Sequence, residues 1–216
     1  MAGNLLSIGK SGLFAAQVGL STTGHNIANA NVAGYSRQTV VQSSAIAQDF
    51  GYGFVGSGTQ VADIKRYSDA FLNTQVRNAQ ASKSSLDAYN SQISQIDNLL
   101  ADTTAGLSPA LQNFFAGLQD LAANPSSTAA RQAVLSNAES LASRFQSLDG
   151  RMQEIRDGVN SQITTKVTLI NSYASQIAEL NEQIGKFTLS NGNSKPNDLM
   201  DARDQLVLEL NKEIKA

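Results

Sequence analysis

The chain carries three prolines, Pro109, Pro125 and Pro196, and each falls between two helical patterns. Long stretches free of the one residue that breaks helices therefore run from end to end of the sequence. Within them, apolar residues recur at helical spacing. Leu86, Tyr89, Ile93, Ile96 and Leu100 step by three and four. Residues 109–122 carry Leu111, Phe114, Phe115, Leu118 and Leu121. Residues 127–189 read as one long helix or two, with Gly150 and Gly158 as the candidate breaks. A stripe from Val159 through Ile163, Val167, Ile170, Ala174, Ile177, Leu180 and Ile184 to Phe187 marks their second half. If continuous, such a helix spans about 90 Å.

Helix ends can be read from the same letters. Ser108-Pro109 and Asn124-Pro125 suit an N-cap followed by a first helical residue. "NGNSKPND" is a loop, with Asn197 as N-cap and Asp198 and Asp201 in the first turn that follows. Leu199, Leu206, Leu210 and Ile214 open a further seam, and its break at Ala216 in mid-pattern suggests a chain cut short.

The opening segment differs. Residues 1–62 contain only Lys10, Arg37 and Asp49, and the other 31 charges follow. Leu5, Ile8, Gly12, Ala16, Gly19, Thr23, Ile27 and Ala30 form a heptad-like seam made mostly of small residues. From Gly3 to Asn31 this predicts a helix of about 43 Å. Gly9, Gly12, Gly19 and Gly24 each weaken it by about 1 kcal/mol relative to alanine. A lone helix so burdened is marginal in water, so the small residues point to close-packed neighbouring helices. It runs into "GHNIANANVAGYSRQT", where Asn26, Asn29 and Asn31 offer donors and acceptors to the backbone groups left open at a helix end. Gly34 can adopt the positive φ that reverses the chain. Tyr35, Arg37 and Gln38 then present a ring, a guanidinium fork and an amide. Residues 38–67 change period: "QTVVQ" and "TQVADI" are strand-like, with "GYGFVGSG" between them, which predicts short strands, an extended connector or a hairpin.

Composition excludes several functions. A net charge of −2 supplies no field for nucleic acid and no polybasic membrane patch. No apolar run approaches the roughly 20 residues of a membrane span. A cleaved signal peptide is not expected, because Lys10 is single and late and Gln17 and Gly19 break the apolar core. With no cysteine there are no disulfides, thiolate nucleophiles or cysteine metal sites, and a Ser-His-Asp triad would depend on His25 alone. No nucleophile stands beside His25, so it reads as a surface or interface residue. Gly51, Gly53 and Gly56 match G-x-G-x-x-G, but a strand pattern follows where a dinucleotide site needs a helix, so they read as turn glycines. Asp198, Asp201 and Asp204 share one helical face rather than circling a calcium loop, which favours capping and local pairing. No catalytic residue, cofactor or metal site is expected, and no enzyme.

The fold class expected is mainly α: an elongated bundle of long coiled-coil-like helices with a small β or extended connector and a separate N-terminal helix. Four stretches carry a family resemblance. "NIANANVAGYSRQT" (26–39) resembles the N-terminal signature of the bacterial flagellar axial proteins of rod, hook and hook-associated type. Its Gly-Tyr-Ser-Arg-Gln ending is most similar to the hook-associated FlgK family of the hook–filament junction. "RYSDAFLNTQVRNAQ" (66–80), "FFAGLQDLAANPSSTAARQAVL" (114–135) and "PNDLMDARDQLVLELN" (196–211) are similar to the N-terminal portion of that family. His25 stands where the family often has Asn, and Val32-Ala33 where it often has Thr-Pro.

The resemblance implies a structural adaptor at the hook–filament junction, extracellular, exported without a cleaved signal through the flagellar type III apparatus with an export chaperone. Its implied partners are the hook protein, a second junction protein and further copies of itself in a tubular assembly. It also implies an inner-tube helix at residues 1–35 that is disordered in the monomer, a connector at 36–67, and a helical rod domain at 68–216 completed by C-terminal helices. The candidate assembly residues are Leu5, Ile8, Leu13, Leu20 and Ile27 along the helix. Asn26, Asn29, Asn31, Gly34, Tyr35, Ser36, Arg37 and Gln38 follow in the stretch that ends it. Alternatives are another rod- or hook-type axial protein, a secreted coiled-coil interaction protein such as an injectisome component, or a scaffold carrying a cell-wall hydrolase domain beyond Ala216.

Overall fold

A computed structural model describes residues 2–100, 106–190 and 194–214. Asn191, Gly192 and Asn193 of the loop expected before Pro196, and the chain end at Ala216, lie outside the described residues. The elements are α1 (Ala2–Ala28), β1 (Gln38–Ser44), β2 (Gln48–Asp49), β3 (Phe54–Val55), β4 (Thr59–Arg66), α2 (Ala70–Leu100), α3 (Leu107–Ala123), α4 (Thr128–Ser190) and α5 (Asn197–Glu213). The chain divides into two compact units, Met1–Ala81 with Ile170–Ala216, and Ser82–Leu169. The mainly α class with a small antiparallel region and an N-terminal helix is as the sequence leads one to expect.

In the first unit, β1 and β4 pair antiparallel from Gln38↔Arg66 to Ser44↔Thr59. The register shifts between Val41 and Gln42, which face Asp63 and Val61, so Ala62 is an extra residue on β4. The half-buried positions of β4 are therefore Thr59 and Val61 on one side of the bulge and Ile64 and Arg66 on the other. Beyond this ladder, β2 and β3 form a second small antiparallel pair. Gly51 and Gly53 sit in its turn with φ of 81° and 147°, and the Phe50 amide donates to the Gly53 carbonyl at 3.2 Å. These are turn glycines. The strand that follows leaves no helix N-terminus for a phosphate.

Helix α1 lies along the hairpin, with its backbone close to both β1 and β4. Ser11, Ala15, Val18, Thr22 and His25 face inward, with Ala15 and Thr22 buried. At one end the Ser11 hydroxyl accepts a hydrogen bond from the Thr59 amide at 3.1 Å. At the other, Asn26 bonds Gln38. The two contacts are 15 residues apart on the helix and only six apart on β1, from Gln38 to Ser44, the partner of Thr59. Both distances are about 20 Å, because a helix rises 1.5 Å per residue and a strand about 3.4 Å. The seam expected to meet neighbouring helices is not the stripe that packs on the hairpin. Leu5, Ile8, Gly12, Ala16, Thr23 and Ile27 are exposed, and the buried stripe lies about one residue away.

Helix α2 starts where Asp69 accepts from the Phe71 and Leu72 amides at 2.8 and 3.1 Å, a side-chain cap. In the second unit, α3 begins at Leu107 with Gly106 in the cap position, so Ser108 lies inside the first turn rather than capping it. Asn124 is the C-cap of α3, not the N-cap of α4. That role falls to Ser127, whose hydroxyl accepts from the Ala130 amide at 3.2 Å. Gly117 lets α4 come close: a Cβ there would stand 2.9 Å from Nδ2 of Asn137, which donates to the Asn113 carbonyl at 3.0 Å. Helix α4 is a single helix of 63 residues that runs through Gly150 and Gly158, where added side chains would meet open space. Two glycines cost it about 2 kcal/mol, too little to break so long a run.

Candidate assembly site

The asparagine stretch ends α1 by a chain of local bonds. After Ala28, the Asn29 amide donates to the His25 carbonyl at 3.1 Å, Val32 to Asn29 at 2.9 Å and Tyr35 to Val32 at 3.2 Å. The Asn29 side chain also donates to the His25 carbonyl at 3.0 Å, which satisfies a helix-end acceptor. Gly34 follows at φ 80°, as expected of the residue that reverses the chain. The turn also needs glycine for space, since a Cβ there would lie 2.8 Å from Cβ of Gln205.

Asn26 is the hub of the reversal. Its Nδ2 donates to the Gln38 carbonyl at 2.8 Å, and its Oδ1 accepts from the Gln38 amide at 2.8 Å and the Tyr35 hydroxyl at 2.7 Å. Burial, then the negative charges of Asp198 and Asp201, raise the Tyr35 pKa above its ordinary value. The Tyr35 and His25 rings meet edge to face with centroids 5.5 Å apart. Arg37 projects outward with its guanidinium 4.5 Å above the Tyr67 ring, a cation–π contact.

The first turns of α5 close onto this reversal. Asn197 does not cap the helix; it is buried, and its Nδ2 donates to the Ile64 carbonyl at 2.6 Å and to Oε1 of Gln38 at 3.2 Å. Oδ1 of Asp198 accepts from Nε2 of Gln38 at 2.7 Å and lies 3.2 Å from Nε2 of His25. Asp201 accepts from the Ser36 amide at 2.8 Å and from Nη1 of Arg66 at 2.7 Å. The second arm of Arg66 reaches Asp204 at 2.8 Å, whose other oxygen holds Arg203 at 2.7 Å. Burial pulls the Arg66 pKa down, and the hydrogen bonds it donates to Asp201 and Asp204, with their negative charges, more than reverse that, so it ends raised. Burial pushes Asp204 up, while Arg203 and Arg66 more than offset it and leave the carboxyl below its ordinary value.

The candidate assembly residues thus fall in two groups. Leu5, Leu13, Leu20 and Ile27 stand exposed on the outer face of α1, whereas Ile8, 37% exposed, lies with its backbone against Gly58 of the hairpin. Asn26, Asn29, Tyr35, Ser36 and Gln38 are gathered into the polar reversal, Gln38 buried and the others half-buried, while Asn31, Gly34 and Arg37 stay exposed. Sequence reasoning overlooked Arg66 and the tertiary use of Asn197, Asp198, Asp201 and Asp204. Three acids on one helical face were the available signal. A face so charged suits a cation, which Arg66 at the end of β4 supplies. Three of the four resembling stretches, 26–39, 66–80 and 196–211, meet here. The structure shows no group of three or more His, Asp or Glu side chains placed to hold a metal among the described residues. No described helix is long and apolar enough to cross a membrane.

The N-terminal helix with its reversal and the body of long helices each fall within a family match. Residues 6–35 match the family described as flagella basal body rod protein. Residues 93–216 match the flagellar hook-associated protein FlgK helical domain, and the chain belongs to that FlgK family. It is 45% identical over 209 residues to flagellar hook-associated protein 1 of Salmonella typhimurium, covering 97% of this chain and 38% of that protein. It is 42% identical to the Escherichia coli K12 protein of the same name over 96% of the chain and 38% of that protein. The Bacillus subtilis protein is 32% identical, with 95% of the chain and 42% of that protein covered. The chain therefore spans about two fifths of the length of these relatives.

Proposed function

We propose that this chain is the N-terminal part of a structural adaptor at the junction of flagellar hook and filament. The observation that carries the reading is the similarity to hook-associated protein 1 along nearly the whole chain. The exposed face of α1 supports it. Leu6, Leu13, Leu20 and Ile27 repeat every seven residues, with Gly9, Ala16 and Thr23 three further on, and all are exposed. Large and small residues alternating along a heptad seam suit a closely approaching helix. Residues 1–35 serve as an inner-tube helix, 36–67 as its connector and 68–216 as a rod domain that C-terminal helices complete.

In this reading the protein is extracellular, exported uncleaved through the flagellar type III apparatus with a chaperone. It contacts the hook protein, a second junction protein and its own copies, and its role is structural rather than enzymatic. The test adds full-length protein to isolated hooks stripped of their junction, with electron microscopy of the tips. Density confined to the tips, and lost on deletion of residues 1–38, is expected. Bare tips would reject the junction. The match of residues 6–35 to the rod family favours a second reading, another axial position, which binding to rods instead of hooks would reveal.

A further inference from the structure

The residues buried where α5 meets the N-terminal arm are polar: Gln38, Asn197 and Asp201. Contacts within the arm are of another kind. There α1 runs close along both strands and buries Ala15. The bonds that tie α5 to the arm are Asp198 to His25 and Gln38, Asn197 to Gln38 and Ile64, Asp201 to Ser36, and Arg66 to Asp201 and Asp204. Gly34 abutting Gln205 adds a steric stop.

We propose that α1 and the β1–β4 hairpin form one lever, articulated on α5 through a polar joint in which Arg66 is the pin. Hydrogen bonds and ion pairs are directional, so an intact set holds one angle. They also exchange partners without unlocking interdigitated apolar side chains, the step that makes packed cores resist continuous deformation. Arg66 is the pin because its planar fork spans Asp201 and Asp204, with side chains 12%, 7% and 29% exposed. Without it Asp201 keeps, among the described residues, the Ser36 amide, and Asp198, Asp201 and Asp204 repel one another across a single face of α5. Arg203, bound to Asp204 alone, does not bridge the two.

Residues 1–216 contain no cysteine, so spin labels can be placed at will. In the full chain, with any cysteine beyond these residues replaced, one pair sits at Gln17 and Ser175, both exposed, and reports the lever against α4. A control pair at Gln17 and the exposed Lys65 reports the lever's interior. Arg66→Gln should widen the Gln17–Ser175 distance distribution about twofold and leave the control pair and the helical circular dichroism unchanged. Arg66→Lys, which keeps the charge and loses the fork, should fall between. An unchanged Gln17–Ser175 width in both Arg66→Gln and Asp201→Asn would overturn the joint. Widening of both pairs together would overturn the lever.

Discussion

Asn26 and Gln38 hold each other by two hydrogen bonds of 2.8 Å, side-chain amide to main-chain carbonyl and main-chain amide to side-chain oxygen. One asparagine thereby does for the first residue of β1 what a neighbouring strand would do. Replacing Asn26 with alanine leaves the Gln38 backbone and the Tyr35 hydroxyl without these partners. The expected loss is about 1–3 kcal/mol, read as a lower thermal midpoint. Asn26→Asp keeps the acceptor and loses the donor, and should fall between the two.

Two alanine substitutions at neighbouring faces of α1 should separate stability from assembly. Ala15 is 2% exposed against the hairpin, and Ala16 faces outward. Ala15→Leu overpacks the helix–sheet contact and should cost about 1–3 kcal/mol in urea unfolding. Ala16→Leu should leave stability within about 0.5 kcal/mol yet abolish decoration of hook tips, since it fills the small side of the outer seam. The reverse pattern would mean that α1 packs by its other face.

Gly34 and Gly51 both have φ near 80°, but only Gly34 has a neighbour in the way. Gly51→Ala should therefore cost the backbone strain alone, about 1 kcal/mol or slightly more. Gly34→Ala adds the clash with Gln205 and should be the more damaging, measured as the difference in unfolding midpoint.

Acid should loosen the ionic network. Asp204 titrates below its ordinary value when folded because Arg203 and Arg66 outweigh its burial. A group whose folded pKa is depressed contributes stability that is complete above the unfolded carboxylate range and is lost as pH falls through the folded value. Asp204→Asn should lower stability at neutral pH and flatten the decline on acidification. Arg66, raised by the same contacts, adds no loss on the acid side.

What could be read from the letters follows from what periodicity encodes. The stripe from Val159 to Phe187 marked a helix that the structure continues without a break from Thr128 to Ser190. Gly34 needed only a positive φ, and the paired strand patterns on either side of "GYGFVGSG" needed only a turn between them. The same logic is silent on the face of α1 that the hairpin takes. A heptad-like seam of small residues marks a face suited to neighbouring helices, whereas the hairpin took the face of Ser11, Ala15 and Thr22, where polar groups could meet strand amides. Asn197 was misread for a related reason. Local rules assign an asparagine before a helix to its own backbone, and nothing local announces a strand carbonyl, that of Ile64, 133 residues away.

The extra residue in β4 has a further consequence. A strand's side chains alternate, so Thr59, Val61, Ile64 and Arg66 share one face only because the bulge holds Ala62 outside the alternation. Deleting Ala62 would leave seven residues of β4 against the seven of β1, with the same four side chains on one face. Forcing all eight residues into a regular ladder would instead turn one pair outward, either Thr59 with Val61 or Ile64 with Arg66. The bulge, and not the residue that fills it, thus lets the two ends of the hairpin serve their partners at the same time.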